Sequence, residues 1–305
     1  MAEKMTVHKT ERISAEKIRD YWLLMKPELT LLSVFTSVAS AFLAIQVPDE
    51  SQILVLLLLA IGTLLVGGGS GALNQYIERD EDALMKRTEK RPVPDRRLTP
   101  GESMLFGAGI IFCGILILSA INWLTAFLAG ITSITYVFLY TPLKRISTVS
   151  TTIGAIPGAL PTLIGWAAVS NSLSIESLTL FAILFYWQMP HFYSIGWLYR
   201  NDYRNAGYKL LTSVDTSGVK VGRHVFLNQV ILVFVGVSPA LVGMVTWEYI
   251  PVALVVGTAF LYFGWKFKAA IKDESSGVIA RRLFFASLFY LPLIFTAMII
   301  FKADT

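Results

Sequence analysis

Apolar residues fall in long runs along this chain, at roughly 29–47, 53–75, 103–121, 123–140, 152–170, 178–199, 225–246, 250–267 and 283–301. Each run approaches the ~20 residues that a helix needs to cross a bilayer core. The runs are apolar all round and lack the polar face of a surface helix in a soluble enzyme. The pattern predicts an all-α integral membrane protein, a bundle of nine transmembrane helices. Ahead of the first run, residues 13–25 read as an amphipathic helix lying on the inner membrane surface. The expected organisation is a cytoplasmic N-terminal segment at 1–28 and a single polytopic domain at 29–305.

Composition and charge sharpen this picture. Hydrophobic residues make up 54% of the chain and charged residues 15%, against about 25% charged in a typical soluble domain. With nine spans and the N-terminus inside, the inner segments are 1–28, 76–102, 141–151, 200–224 and 266–282. They hold 25 of the 26 Lys and Arg residues, Lys302 being the exception. Cytoplasmic loops collect such residues. The expected setting is therefore the cell (inner) membrane, with the N-terminus cytoplasmic and the C-terminus outside. The net charge of +5 is then a topology signal, and no nucleic-acid partner is implied. The first run starts only after about 28 mostly polar residues, which is not a signal-peptide pattern. The single Cys113 excludes a disulfide framework and reads as a packing residue within a span.

The inner loops are long and charged and the outer ones short, so chemistry is expected on the cytoplasmic face. The longest inner loops follow the second and sixth spans and open on NQYIERDED (74–82) and NDYR (201–204). The fourth span exits into YTPLKR (140–145) and the eighth into FGWKFK (263–268), which suggests a four-helix unit used twice. Asn74, Glu78 and Asp82 are spaced by four. If the second helix continues past the membrane edge, they share a face, and their hard oxygens suit Mg²⁺. A solvated acidic helix end would have the same spacing. Asp202 would be its partner only if the two loops face each other; a lone loop Asp is usually a cap or turn residue.

Bases interleave with these acids: Lys86, Arg87, Lys90 and Arg91 in one loop, Lys144 and Arg145 in the next. Guanidinium groups suit bidentate phosphate contacts. Each base taken singly also fits a purely topogenic role, but such a role needs no carboxylates beside it. Trp187-Gln188-Met189-Pro190-His191-Phe192 lies inside the sixth span. Polar groups there tend to face the bundle interior, so His191 either ligates or orients a metal-containing substrate or bonds a neighbouring helix. Pro190 removes a backbone hydrogen bond and kinks the helix. Gly67, Gly68, Gly69 and Gly71 allow close helix approach.

At these residues a resemblance appears. NQYIERDEDALMKRTEKRPVP resembles the first Asp-rich motif of the UbiA-type intramembrane prenyltransferases. YTPLKR, GAIPGALPTLIGW (154–166), WQMPHF (187–192) and DYRNAG (202–207) are similar to the protohaem IX farnesyltransferases (haem O synthases) within that family. The resemblance runs from about Lys26 to Asp215, and WQMPHF with GALPTLIGW is its specific part. It implies nine helices around a central cavity opening to the cytoplasmic face. It also implies transfer of farnesyl from farnesyl diphosphate to a vinyl group of haem B, with addition of water, giving haem O and diphosphate.

Position by position, the resemblance makes Asn74, Glu78, Asp82 and Asp202 the catalytic metal ligands, with Mg²⁺ as cofactor. Lys86, Arg87, Arg91, Lys144 and Arg145 become diphosphate-binding residues. His191, Trp187, Gln188, Tyr140 and Tyr203 become haem- and prenyl-facing residues. Glu78 stands where Asp is usual, YKLLTSVD follows DYRNAG where the family reads like PMLPVV, and the second motif has one clear Asp. The implied partners are farnesyl diphosphate, haem B, the lipid bilayer and a haem A synthase or oxidase assembly factor. Within the same superfamily, the resemblance leaves prenylation of a quinone precursor or another aromatic acceptor as the alternative. A polytopic transporter fits less well, because such proteins place charges or broken helices at mid-membrane and these spans are almost free of charge. An oxidase assembly factor would not require two acidic loops.

Overall fold

A computed structural model describes residues 15–47 and 49–303. It is helical throughout, and among the described residues the only β pairing is a single bridge between Val245 and Lys302. A short helix α1 (15–24) precedes α2 (Pro27–Ala44) and α3 (Ser51–Ile77), which runs on into α4 (Arg79–Asp82). Then come α5 (Pro100–Ser119), α6 (Trp123–Ile134), a π-helical segment (Thr135–Tyr140) and α7 (Thr141–Leu143). α8 (Ser150–Ser170) and α9 (Ile175–Leu198) are followed by short α10 (Arg200–Asn205) and α11 (Leu211–Val214). α12 (Val219–Leu241), α13 (Tyr249–Ala269) and α14 (Ser276–Ile300) complete the chain.

Among the described residues, eight helical segments are long and apolar enough to cross a membrane: α2, α3, α5, α6 through α7, α8, α12, α13 and α14. The ninth long helix, α9, spans 24 residues but is less apolar. It packs against α8, α12 and α14, and most of its side chains are buried. A helix surrounded by protein has no lipid face to satisfy, so it can carry Gln188, Pro190 and His191. The outward helices expose Phe112, Phe138, Phe234, Val255 and Phe289, as a surface bathed in hydrocarbon requires. Cys113 is exposed on α5, so it is not the packing residue that its place in a span suggested.

Small residues set the helix spacing. A Cβ on Gly69 would lie 2.5 Å from the Gly107 carbonyl, and one on Gly114 would lie 2.9 Å from the Gly62 carbonyl. These glycines let α3 and α5 meet backbone to backbone. On another side of α3, Gly68 and Gly71 accommodate Met25, which brings the turn before α2 down onto the end of α3. Of the surface helix expected at 13–25, residues 13–14 lie outside the described residues. The rest, α1, buries Leu24 and Asp20 and exposes Ile18 and Trp22; Tyr21 packs on Phe106 of α5 with ring centroids 4.7 Å apart.

Candidate active site

The acidic motif after α3 keeps its helical register through a small break at Glu78. The Glu78 N–H still bonds the Asn74 carbonyl at 2.9 Å, and the Asp82 N–H bonds the Glu78 carbonyl at 2.8 Å. The i,i+4 spacing therefore holds, and Asn74, Glu78 and Asp82 are all buried. Each meets a base or a hydroxyl from another segment. Asn74 Oδ1 accepts from Lys26, and its Nδ2 donates to Thr141 Oγ1 at 2.9 Å. Lys144 Nζ lies 2.6 Å from Glu78 Oε1. Arg91 donates to Asp82 Oδ2 at 2.6 Å. Arg145 donates to Glu81. The end of α3 is thus tied to the start of α2 and to the exit through α7.

The loop after α9 closes over the same region. The Lys209 N–H bonds the Lys144 carbonyl at 2.8 Å. Arg87 donates to the Tyr203 hydroxyl at 2.9 Å and lies over the Tyr199 ring at 5.2 Å. Met85, Ala206 and Tyr208 share a small buried cluster. Lys144 also lies over the Tyr140 and Tyr208 rings, at 4.7 and 5.8 Å.

Electrostatics follow from this crowding of charge at low dielectric. Burial opposes the Glu78 charge, but Lys144, Lys26 and Arg91 outweigh it and hold its carboxyl below the usual range. Burial likewise opposes the Lys144 charge, and Glu78 with the neighbouring tyrosines raises it well above the ordinary lysine value. Lys26 has no such pairing. Burial, with Arg91 and Lys144 nearby, pushes its ammonium down to about 7. Its backbone is left-handed, with φ 49°, a conformation that non-glycine residues adopt at a cost and that clusters at functional sites. That turn, just ahead of Pro27 at the start of α2, carries the ammonium over the end of α3.

Beneath this mouth lies a cavity with about 1140 Å³ of empty space, part of it open to the outside. Lys26, Tyr136 and Tyr140 line it, and it reaches Thr63, Ile164 and Leu184. The wall is mainly apolar, with Trp187, Gln188 and His191 on one side. The π-helical segment carries Tyr136 and Tyr140, and such bulges often mark functional sites.

The structure redistributes several expected residues. Tyr140, Trp187, Gln188 and His191 line the cavity, but Tyr203 does not; Arg87 and the Tyr208 ring hold it in the mouth loop. Lys86 is exposed and, among the described residues, makes no ion pair or side-chain hydrogen bond. Asp202 is half-buried and likewise has no side-chain partner among the described residues. Among the described residues, no group of three or more Asp, Glu, His or Cys side chains is gathered as a metal cage. Instead, the bases neutralise the motif acids one by one. Asp215, which neighbours the second loop, caps α12 by accepting from the Lys220 and Val221 N–H groups at 2.8 and 3.1 Å.

The donor set nonetheless fits a hard cation. It consists of amide and carboxylate oxygens; Lys144 engages Glu78 through Oε1 and Arg91 engages Asp82 through Oδ2, so among the described residues Glu78 Oε2 and Asp82 Oδ1 are left for a ligand. Lys26, Tyr136, Glu81 and Tyr208 escaped the sequence reading. Lys26 looked topogenic because the left-handed turn that aims it leaves no trace in the sequence. Tyr136 lies four residues before Tyr140, and that spacing alone could have placed it on the same helix face.

Comparison with known proteins agrees with this architecture. The UbiA prenyltransferase family profile matches residues 33–298. The chain is 40% identical over 293 residues to the protoheme IX farnesyltransferase of Solibacter usitatus, covering 93% of this chain and 98% of that protein. It is equally identical over 293 residues to that of Koribacter versatilis, covering 94% of each. Among solved structures, digeranylgeranylglyceryl phosphate synthase superposes with a TM-score of 0.73 at 15% identity, covering 93% of this chain and 98% of the other. A UbiA homologue from Archaeoglobus fulgidus bound to GPP and Mg²⁺ does so with a TM-score of 0.62 at 14% identity, covering 92% and 99%.

Proposed function

Because this chain belongs to the UbiA prenyltransferase family, we propose that its mouth and cavity join farnesyl diphosphate to a vinyl group of haem B, giving haem O. The observation that carries this reading is one juxtaposition. A ring of acids and bases sits at the mouth of a mainly apolar cavity, in a chain 40% identical to protoheme IX farnesyltransferases over nearly its whole length.

Asn74, Glu78 and Asp82, with Asp202 from the facing loop, would hold the divalent ion, which we take to be Mg²⁺. When bound, it supplies charge neutralisation for the leaving diphosphate. Lys26, Arg87, Arg91, Lys144 and Arg145 offer positive charge to the same leaving group. Tyr136, Tyr140 and Trp187 present ring faces that stabilise a developing allylic cation and shield it from water. The allylic C–O bond breaks as diphosphate leaves. The terminal vinyl carbon of the haem forms the new C–C bond. Water then adds next to the porphyrin and loses a proton. Haem is a substrate here, and His191 and Gln188 face it from the cavity wall.

The topology we favour is nine spans in the cell membrane, counting α9, with residues 29–305 as one polytopic domain. The mouth and N-terminus are cytoplasmic and the C-terminus is outside. Mass spectrometry of haems from membranes expressing the chain tests the function. A hydroxyethylfarnesyl haem is the expected product. A farnesylated quinone precursor with unmodified haem would overturn the choice of acceptor.

A further inference from the structure

The cavity histidine is held by a residue from a distant helix. His191 Nδ1 lies 2.8 Å from Ser287 Oγ on α14. Ser287 Oγ also lies 2.5 Å from the carbonyl of Phe284, one turn earlier. A hydroxyl has one proton and two lone pairs. The carbonyl can only accept, so the serine proton goes to Phe284. Ser287 then has only a lone pair left for His191, and Nδ1 must carry the proton. In a neutral imidazole this leaves Nε2 as a bare lone pair.

The surroundings place that lone pair in the open cavity. His191 lines the cavity, and among the described residues Nε2 makes no hydrogen bond and is not one of the enclosed polar atoms that lack partners. The ring is clamped between Trp187, 5.0 Å away and nearly parallel, and Phe284 at 5.1 Å. Trp187 is held by the same residue, its Nε1 donating to the Ser287 carbonyl at 2.8 Å. One serine therefore fixes two neighbouring rings on the cavity wall.

We propose that Ser287 is a positioning residue. It sets the Nδ1–H tautomer of His191 so that Nε2 is presented as a ligand for the iron of a haem-type substrate. A metal-binding histidine characteristically donates its other N–H to an oxygen in this way. The proposal rests on the haem reading above and adds to it the group that orients the acceptor.

Two measurements test it. The first needs neither a variant of Ser287 nor haem: ¹⁵N NMR of histidine-labelled full chain in lipid nanodiscs, with His191 identified by its loss in His191→Ala. Nδ1 protonated with Nε2 bare is expected, and the opposite tautomer overturns the proposal. The second is a titration of the same nanodiscs with ferric haem B, without farnesyl diphosphate. The wild type should give an imidazole-ligated spectrum that His191→Ala loses. Ser287→Ala should bind haem about 10–100-fold more weakly, with the KM for farnesyl diphosphate unchanged, and Ser287→Thr, which keeps the hydroxyl, should restore binding. The Trp187 bond uses the Ser287 backbone and survives all these changes. A wild-type spectrum and affinity in Ser287→Ala overturns the proposal while haem farnesylation continues. A wild type that neither binds nor farnesylates haem brings down the acceptor reading, and the proposal with it.

Discussion

Lys144 sets its ammonium 2.6 Å from Oε1 of Glu78, joining the exit of α7 to the end of α3 at the cavity mouth. Glu78 is buried and the Lys144 side chain is only 12% exposed. Removing one member of such a pair strands a charge at low dielectric and costs up to about 3–5 kcal/mol, whereas removing both can be nearly neutral. Lys144→Met and Glu78→Gln should each lower the thermal midpoint in detergent. The double variant should be more stable than the sum of the two losses allows. All three should lose prenyl transfer. Strict additivity in the melts would mean that the contact carries no coupling.

The crossing of α2 and α8 depends on one glycine. A Cβ on Gly165 would stand 1.8 Å from the Ser37 carbonyl oxygen, a backbone atom that cannot step aside. Nearby, Ser40 Oγ donates to the Thr162 carbonyl at 2.6 Å across the same crossing. Gly165→Ala should cost more than about 4 kcal/mol and reduce the yield of folded protein. Gly109→Ala is the matched control. It lies in the middle of α5 with no atom within 4 Å of the added Cβ, so it should be neutral or gain about 0.5–1 kcal/mol. Size-exclusion profiles and melts of the two variants decide the matter.

These two contacts also mark what a sequence can and cannot disclose. The long apolar runs and the sorting of Lys and Arg made the membrane helices legible, because both arise from solvent preferences that act residue by residue. The register of Asn74, Glu78 and Asp82 was legible for the same reason, being a property of one helix. Partners across helices were not. Nothing in the order of residues says that Lys144 reaches Glu78, that Ser287 reaches His191, or that Arg87 draws Tyr203 away from the cavity. Nor does it reveal that the bases disperse the acids in pairs. Such contacts depend on crossing angles set by glycines scattered over several helices, and on the left-handed turn at Lys26.

Gly158 offers a functional counterpart to Gly165. Its added Cβ would fall 1.9 Å from Gln188 Oε1, but the obstacle is the tip of a side chain and can move. Gln188 Nε2 now donates to the Leu184 and Ala155 carbonyls at 3.1 and 3.4 Å. Gly158→Ala should therefore fold, displace the Gln188 amide into the cavity and slow turnover by about tenfold, equivalent to ~1.4 kcal/mol. The comparison to make is kcat with equal melting behaviour. Unchanged kcat would show that Gln188 serves only helix packing.

Arg87 pins the second mouth loop through two different interactions, a hydrogen bond to Tyr203 and the face of Tyr199. The first is worth about 1.5 kcal/mol and the second about 0.5–1 at an exposed site. Lysine cannot supply both, because it lacks the planar fork. Arg87→Lys should raise amide hydrogen exchange across residues 199–210 on the order of tenfold. Exchange within α9 should stay as in the wild type.

Chelation should separate activity from stability. Each acid of the first motif has a basic partner: Glu78 with Lys144, Asp80 with Arg79, Glu81 with Arg145 and Asp82 with Arg91. No cluster of bare carboxylates is left whose mutual repulsion a cation must relieve, so folding does not depend on one. EDTA should abolish farnesyl transfer and leave the thermal midpoint of the substrate-free protein almost unchanged. Adding Mg²⁺ alone should shift the midpoint little. Mg²⁺ with an unreactive prenyl diphosphate analogue should raise it clearly, the stabilisation being about 2.7 kcal/mol at a hundredfold excess over Kd, because the diphosphate supplies the remaining oxygens of the metal shell. A large drop in midpoint on chelation alone would instead mark the ion as structural, and the acid–base pairs as incapable of standing in for it.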